Sequence, residues 1–284
     1  MEKTTDPLVS CAWLAERLDA PDIRVVDATW FLPGDARNAK ALFAERRIPG
    51  AIFFELDDIA DTTSPLPHML PSPEKFAVRI RKLGIGDGMR VVVYDARGLF
   101  SAARVWWTFR VMGHEDVTVL DGGFPAWEAA GSPIETGPPM PHGERHFTAR
   151  YRTDLVRDLR DMRSAVASGG VQILDARPKD RFQGAAPEPR PGLKSGHMPG
   201  ARNVPTPALV GPAGFLRSRA DLERTFAELG ADTAQAAVCT CGSGITAAII
   251  ALALARLGRW NASIYDGAWA EWGALDDTPI ATGA

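Results

Sequence analysis

The stretch that decides the fold is Cys241-Gly242-Ser243-Gly244-Ile245-Thr246. Apolar residues 236–239 precede it and predict a strand, and the Ala/Leu/Ile-rich residues 247–257 follow it and predict a helix. A thiol at the start of such a loop lies where backbone N–H groups and the positive end of a helix converge, and both favour a thiolate over a thiol. We therefore predict that Cys241 is a nucleophile in an anion-binding loop.

The composition is that of an ordinary globular protein. The 284 residues are enough for two domains, and a formal net charge of −3 gives no reason to expect nucleic acid or a membrane as a partner. Three cysteines are too few for a disulfide framework and suit a reducing compartment. Residues 1–6 lack the order of a signal peptide, and the longest apolar stretch is shorter than the roughly 20 residues that span a bilayer. We expect a cytoplasmic location.

The chain contains an internal repeat. Ile23-Arg24-Val25-Val26-Asp27-Ala28 reappears as Val171-Gln172-Ile173-Leu174-Asp175-Ala176, and Ile48-Pro49-Gly50-Ala51 reappears as Met198-Pro199-Gly200-Ala201. At a similar separation, Asp95 falls opposite Cys241. Two similar halves of about domain size are the simplest explanation.

Each half alternates short apolar strands with amphipathic helices, which predicts an α/β fold with parallel sheets covered by helices on both faces. Residues 132–143 are rich in proline and glycine and have no periodicity, as is typical of a linker. We predict a first domain at 1–131, a linker at 132–150 and a catalytic domain at 151–284.

The loop permits other interpretations. A cysteine beside a tight turn is often a buried structural residue, and this interpretation is preferred for Cys239, which lies inside the predicted strand. Gly242, Gly244 and Ala247, with the later Asp266, fit a loose dinucleotide-binding fingerprint. A cysteine phosphatase would need an arginine to close the loop and clamp phosphate, whereas position 247 is alanine.

Three motifs together resemble the tandem-domain rhodanese-type sulfurtransferases. They are the Cys241–Ala247 loop, Gly196-His197-Met198-Pro199-Gly200-Ala201-Arg202-Asn203-Val204-Pro205 and Asp266-Gly267-Ala268-Trp269-Ala270-Glu271-Trp272. The Gly-Ser-Gly loop is similar to the 3-mercaptopyruvate branch of that family, since thiosulfate-specific rhodaneses usually carry arginine and lysine after the cysteine. The resemblance implies two rhodanese-like domains, the second catalytic.

The resemblance also implies a chemistry. Cys241 takes a sulfur as a persulfide and passes it to a thiol, a thioredoxin-like protein or cyanide, with release of pyruvate. Asp95 makes the first half catalytically degenerate, because a carboxylate cannot carry sulfur. Arg181 and Arg190 match the arginines that hold the carboxylate and keto oxygen of 3-mercaptopyruvate, and the loop positions after the cysteine contact the substrate: Gly242, Gly244, Ile245 and Thr246.

Ser243, His68 and Asp57 match family positions proposed as a Ser-His-Asp relay, which would polarise the substrate carbonyl or move a proton. The relay would require a site between the two halves. The five scattered histidines show no metal-ligand spacing, so we expect neither metal nor cofactor. Two rival functions remain: a thiosulfate sulfurtransferase, and a non-catalytic dinucleotide-binding or partner-binding module.

Overall fold

The computed structural model describes residues 6–283. The expectation about a signal peptide concerns residues 1–6, and the first five of these lie outside the described residues. The chain divides into two compact units, and neither is a single run of sequence. The first unit contains the chain up to Thr62, Leu70–Arg152 and Pro212–Leu216. The second contains Thr63–Met69, Thr153–Gly211 and the chain from Arg217 onward.

The first unit is built on a five-stranded parallel sheet with the order β1-β5-β4-β2-β3. All residues of β4 and β5 are buried, so these central strands are covered on both faces. The strands are β1 (Leu8–Val9), β2 (Ile23–Asp27), β3 (Ile52–Phe53), β4 (Arg90–Tyr94) and β5 (Val117–Leu120).

Six helices connect and cover these strands, as parallel pairing requires. The cap of α4 follows from the sequence: Ser72 Oγ accepts the backbone N–H of Lys75 at 3.2 Å, and Pro73 takes the first helical position. The helices are α1 (Cys11–Ala15), α2 (Ala39–Glu45), α3 (Leu56–Ile59), α4 (Pro73–Lys82), α5 (Ala102–Val111) and α6 (Gly123–Ala129).

The second unit repeats this order of elements. Its parallel sheet has the order β6-β10-β9-β7-β8, with β6 (Val156–Arg157), β7 (Gln172–Asp175), β8 (Arg202–Asn203), β9 (Ala237–Thr240) and β10 (Ser263–Tyr265). Its helices are α7 (Leu159–Ser168), α8 (Lys179–Phe182), α9 (Thr206–Leu209), α10 (Arg219–Glu228), α11 (Ala247–Arg256) and α12 (Ala268–Trp272).

Residues 132–150 pack within the first unit. Glu135 forms a two-residue antiparallel bridge with Arg47. Phe147 is fully buried and lies edge-on to Phe76 at 5.7 Å and to Phe109 at 6.4 Å between ring centroids. Phe147, in the predicted linker, therefore contributes its side chain to a hydrophobic core of the first unit.

The predicted α/β fold, two parallel sheets with helices on both faces, is confirmed. The two sheets have the same strand order, and β4 and β9 occupy the same central position in each. Within residues 6–283, no helix is long and apolar enough to cross a membrane.

Candidate active site

The loop after β9 places Cys241 at the carboxyl end of a central strand. Cys241 is 2% exposed, and α11 begins six residues later. The carbonyls of Cys241 and Gly242 accept the N–H groups of Trp269 at 2.9 Å and Ala270 at 3.0 Å. Because the C=O and N–H of one peptide plane point in opposite directions, the N–H groups of Gly242 and Ser243 point away from α12.

The equivalent loop of the first unit surrounds a carboxyl group. Asp95 follows β4 as Cys241 follows β9, and its buried carboxylate accepts the N–H groups of Arg97 at 2.8 Å, Phe100 at 2.7 Å and Ala102 at 2.9 Å. Burial raises the pKa of Asp95, and these N–H groups oppose that rise. In the first unit, the loop between β4 and α5 thus directs three backbone N–H groups at one carboxyl group.

Arg181 lies beside the Cys241 loop. A Cβ added to Gly242 would lie 3.1 Å from Arg181 Nη2, so the guanidinium group is packed against the glycine. The Arg181 side chain is 21% exposed, and Glu188 accepts from its Nε at 3.3 Å and from its Nη2. The structure therefore brings together Cys241, Gly242 and one of the two predicted substrate-binding arginines.

A buried charge network behind Arg181 was not predicted from the sequence. Arg177 is 1% exposed; its Nη2 lies 2.7 Å from Asp175 Oδ2, its Nη1 lies 2.8 Å from Glu188 Oε1, and its guanidinium stacks 4.0 Å from the Trp269 ring centroid. Burial alone would lower the pKa of Arg177, but Asp175 and Glu188 raise it. One sequence feature could have indicated this network. The repeat has Asp-Ala-Thr at the end of its first copy and Asp-Ala-Arg at the end of its second, so Arg177 replaces Thr29 beside a buried strand.

The remaining predicted loop residues are buried or half-buried. Ser243 is 8% exposed, Ile245 is 2% exposed, and Thr246 precedes α11. Gly244 has a φ of +81°, a backbone conformation that favours glycine. Arg190 is half-buried in the segment after α8.

The two other relay candidates belong to different units. His68 comes from the first half of the sequence but belongs to the compact unit that contains Cys241. It has a φ of +59°, which is uncommon for a residue other than glycine, and its Nε2 is shielded from solvent. Asp57 belongs to the first unit, where its Oδ2 accepts from Trp30 Nε1 at 2.8 Å.

Cys239 lies inside β9 and is fully buried. Burial raises its pKa well above that of an ordinary thiol, and the nearby Cys241 adds to the rise. Both residues are free cysteines in this structure. Cys239 therefore has the character of a buried structural thiol.

Comparison with known proteins identifies the class. The family model described as the Rhodanese-like domain matches residues 10–130 and residues 158–275. The chain therefore belongs to the rhodanese-like domain family and carries two copies of the domain, which confirms the resemblance predicted from the three motifs.

Full-length relatives narrow the class to sulfurtransferases. The 3-mercaptopyruvate sulfurtransferase of Escherichia coli strain K12 is 43% identical over 279 residues, covering 98% of each chain. A mitochondrial thiosulfate/3-mercaptopyruvate sulfurtransferase of Arabidopsis thaliana is 39% identical over 297 residues, covering 98% of this chain and 78% of the relative. The crystal structure of SseA from Escherichia coli superposes with a TM-score of 0.85 at 40% identity, covering 94% of this chain and 100% of the other. These matches place the chain among the sulfurtransferase enzymes.

Proposed function

We propose that this enzyme transfers the sulfur of 3-mercaptopyruvate through a persulfide on Cys241. The observation that carries the proposal is the position of the Arg181 guanidinium beside Gly242, next to the only thiol that heads a loop between strand and helix in the second unit. A guanidinium group suits the carboxylate of a 2-oxo acid, and the adjacent thiol suits attack on sulfur.

The loading half-reaction begins with attack of the Cys241 thiolate on the thiol sulfur of 3-mercaptopyruvate. An S–S bond forms and the substrate C–S bond breaks, and the electron pair of the C–S bond moves into the carbonyl system to give the enolate of pyruvate. The N–H groups of the loop and the Ser243 hydroxyl stabilise the developing negative charge. A proton then reaches the methylene carbon, and pyruvate leaves.

The substrate is held by Arg181 and Arg190, with Gly242, Gly244, Ile245 and Thr246 forming the loop around its sulfur. Ser243, His68 and Asp57 form the proposed relay that delivers the proton. The left-handed backbone of His68 supports a role for this residue, because strained conformations of this kind concentrate at functional sites.

The offloading half-reaction transfers the outer sulfur to an acceptor. A thiolate, such as that of a thioredoxin-like protein, or cyanide attacks the terminal sulfur, and the Cys241 thiolate leaves. We propose no cofactor for either half-reaction, since each is a displacement at sulfur: the pyruvate enolate leaves in loading and the Cys241 thiolate leaves in offloading. The predicted cytoplasmic location stays a prediction, because one Arabidopsis relative is named as mitochondrial.

The intact mass of the protein tests the proposal. After brief exposure to 3-mercaptopyruvate without acceptor, wild-type protein is expected to gain one sulfur atom and release one equivalent of pyruvate. Cys241→Ser is expected to gain none, and Cys239→Ser is the matched control that still gains it. Unmodified wild-type protein without pyruvate release would refute 3-mercaptopyruvate as the donor.

Thiosulfate is the second candidate donor, because the two Arabidopsis relatives carry both donors in their names. The loop from Gly242 to Thr246 contains no cationic residue, which disfavours a dianion relative to a monoanionic 2-oxo acid. We expect faster loading from 3-mercaptopyruvate when both donors are compared at equal concentration. NAD binding, or unchanged activity of Cys241→Ser, would instead support the non-catalytic binding module.

A further inference from the structure

Glu188 is a buried carboxylate to which the proposed chemistry assigns no role. Its side chain is 1% exposed although it lies between Pro187 and Pro189 in an irregular segment. A buried carboxylate is costly unless cations and hydrogen bonds compensate it. Here two arginines do so, one behind the site and one beside the Cys241 loop.

The contacts form a continuous chain from the sheet to the loop. Asp175, at the end of β7, holds Arg177 through Nε and Nη2, and the carbonyl of Gly196 accepts from the same Nη2 at 2.9 Å. Arg177 Nη1 donates to Glu188 Oε1 at 2.8 Å. Glu188 then accepts from Arg181, whose Nη2 lies against Gly242. Arg181 is thus held by Glu188, which is itself held by the buried Arg177.

The edge of Arg181 that Glu188 occupies matters for substrate binding. Glu188 accepts from Nε and Nη2, which form one edge of the planar guanidinium. A guanidinium has five N–H donors, so the contacts with Glu188 leave both donors on Nη1 and one on Nη2. These donors form the second edge, which matches a planar carboxylate in a bidentate arrangement.

We propose that Glu188 is a positioning residue: it fixes the Arg181 guanidinium beside Gly242 so that its second edge receives the donor carboxylate. This inference rests on the proposed function. Glu188 does not touch the reacting sulfur, so it affects the loading half-reaction through Arg181 and leaves the offloading half-reaction unchanged.

The test separates the two half-reactions in Glu188→Gln. Glutamine keeps the size of the side chain, but its amide nitrogen cannot accept from a guanidinium donor. Since Arg181 donates to both oxygens of Glu188, Arg181 loses one of its two acceptors in either orientation of the amide. We expect the 3-mercaptopyruvate concentration for half-maximal persulfide formation to rise roughly ten- to hundredfold. Protein loaded at high donor concentration and then freed of donor is expected to release thiocyanate to cyanide at the wild-type rate.

Two further variants make the result specific. Asp277→Asn breaks an exposed ion pair with Arg163 in the same unit and is expected to change neither half-reaction. In an Arg181→Lys background, Glu188→Gln is expected to add little, because both substitutions disturb the same group. Should Glu188→Gln fail to fold, Glu188→Asp retains the buried charge and is expected to show a smaller loading defect of the same kind.

The outcomes distinguish the two proposals. Absence of sulfur loading in the wild type refutes the proposed donor. If wild type and Glu188→Gln load equally, or if loading and offloading slow by the same factor, the positioning role is wrong while the proposed function stands. An undiminished effect of Glu188→Gln in the Arg181→Lys background also overturns it, because Glu188 would then act independently of Arg181.

Discussion

Asp27 is a buried carboxylate whose ionisation opposes folding. It ends β2 in the first unit, and burial raises its pKa from 3.8 to about 6, against the lowering effect of hydrogen bonds from Thr29 and Tyr94. The backbone N–H of Thr29 donates to its Oδ1 at 2.8 Å. The matching residue of the second unit, Asp175, is instead paired with Arg177. Replacing Asp27 by asparagine should therefore change the pH dependence of stability.

The magnitude follows from the two pKa values. A tenfold difference in proton affinity is worth about 1.4 kcal/mol, so a rise from 3.8 to about 6 corresponds to about 3 kcal/mol. Between these values the folded state binds more protons than the unfolded state, so the free energy of unfolding falls as the pH rises through this window. The stabilising contribution of protonated Asp27 is fully present below the unfolded value and is lost above the folded one.

The assay is urea unfolding of wild type and Asp27→Asn, followed by circular dichroism at a series of pH values from 4 to 7.5. Carboxylates that do not interact with Asp27 titrate equally in both proteins, so the difference between them reports Asp27 together with its repulsion by Asp95. We expect Asp27→Asn to gain about 2 kcal/mol relative to wild type between pH 4 and pH 7.5, because pH 4 lies just above the unfolded pKa of 3.8 and part of the full contribution is already lost there. A difference that stays constant with pH would refute a raised pKa for Asp27.

Two substitutions and one chemical modification test the second unit. Gly242→Ala would place a Cβ 3.1 Å from Arg181 Nη2, so we expect a loading defect for 3-mercaptopyruvate with little change in the thermal midpoint; a normal loading curve would contradict this geometry. Arg177→Met leaves Asp175 buried without its arginine. Urea unfolding should show a free energy of unfolding lower by about 3 to 5 kcal/mol. A change below about 1 kcal/mol would show that the network is dispensable for stability. Cys239 should resist iodoacetamide at pH 8 in the folded protein because burial keeps it a thiol, and peptide mapping that finds it alkylated would disprove this.

Much of the fold followed from the sequence because the repeat and the strand pattern agree. β4 and β5 coincide with short apolar runs of the sequence, and Ser72-Pro73 has the sequence of a helix cap at the start of α4. Short elements such as α8, with four residues, were missed because one helical turn has no periodicity to detect. The helix after the Cys241 loop begins at Ala247, since the loop extends through Thr246.

The candidate site was only partly predictable. A glycine-rich loop between strand and helix pointed to Cys241 through local chemistry, and Arg181 was found through family resemblance. Glu188 and Arg177 were missed because isolated charged residues usually lie in solvent, and no local pattern shows that residues 11 positions apart share a buried contact. Burial of this kind is a tertiary property that emerges only when the segment after α8 folds back on β7.

Comparing the loops after β4 and β9 distinguishes the backbone N–H groups, which β4's loop also provides, from the side chains that differ between the two units. Around Asp95, three N–H groups hold a carboxyl group in a loop that has no thiol, so the arrangement of loop N–H groups is present without the predicted nucleophile. The second unit differs by a thiol at the loop and by arginines after β7, where the first half has Thr29 and Pro33 at the matching positions. A buried arginine is tolerated only with carboxylate partners, which Asp175 and Glu188 provide. The members of this charge network therefore stabilise one another, because each buried charge is destabilising when its partners are absent.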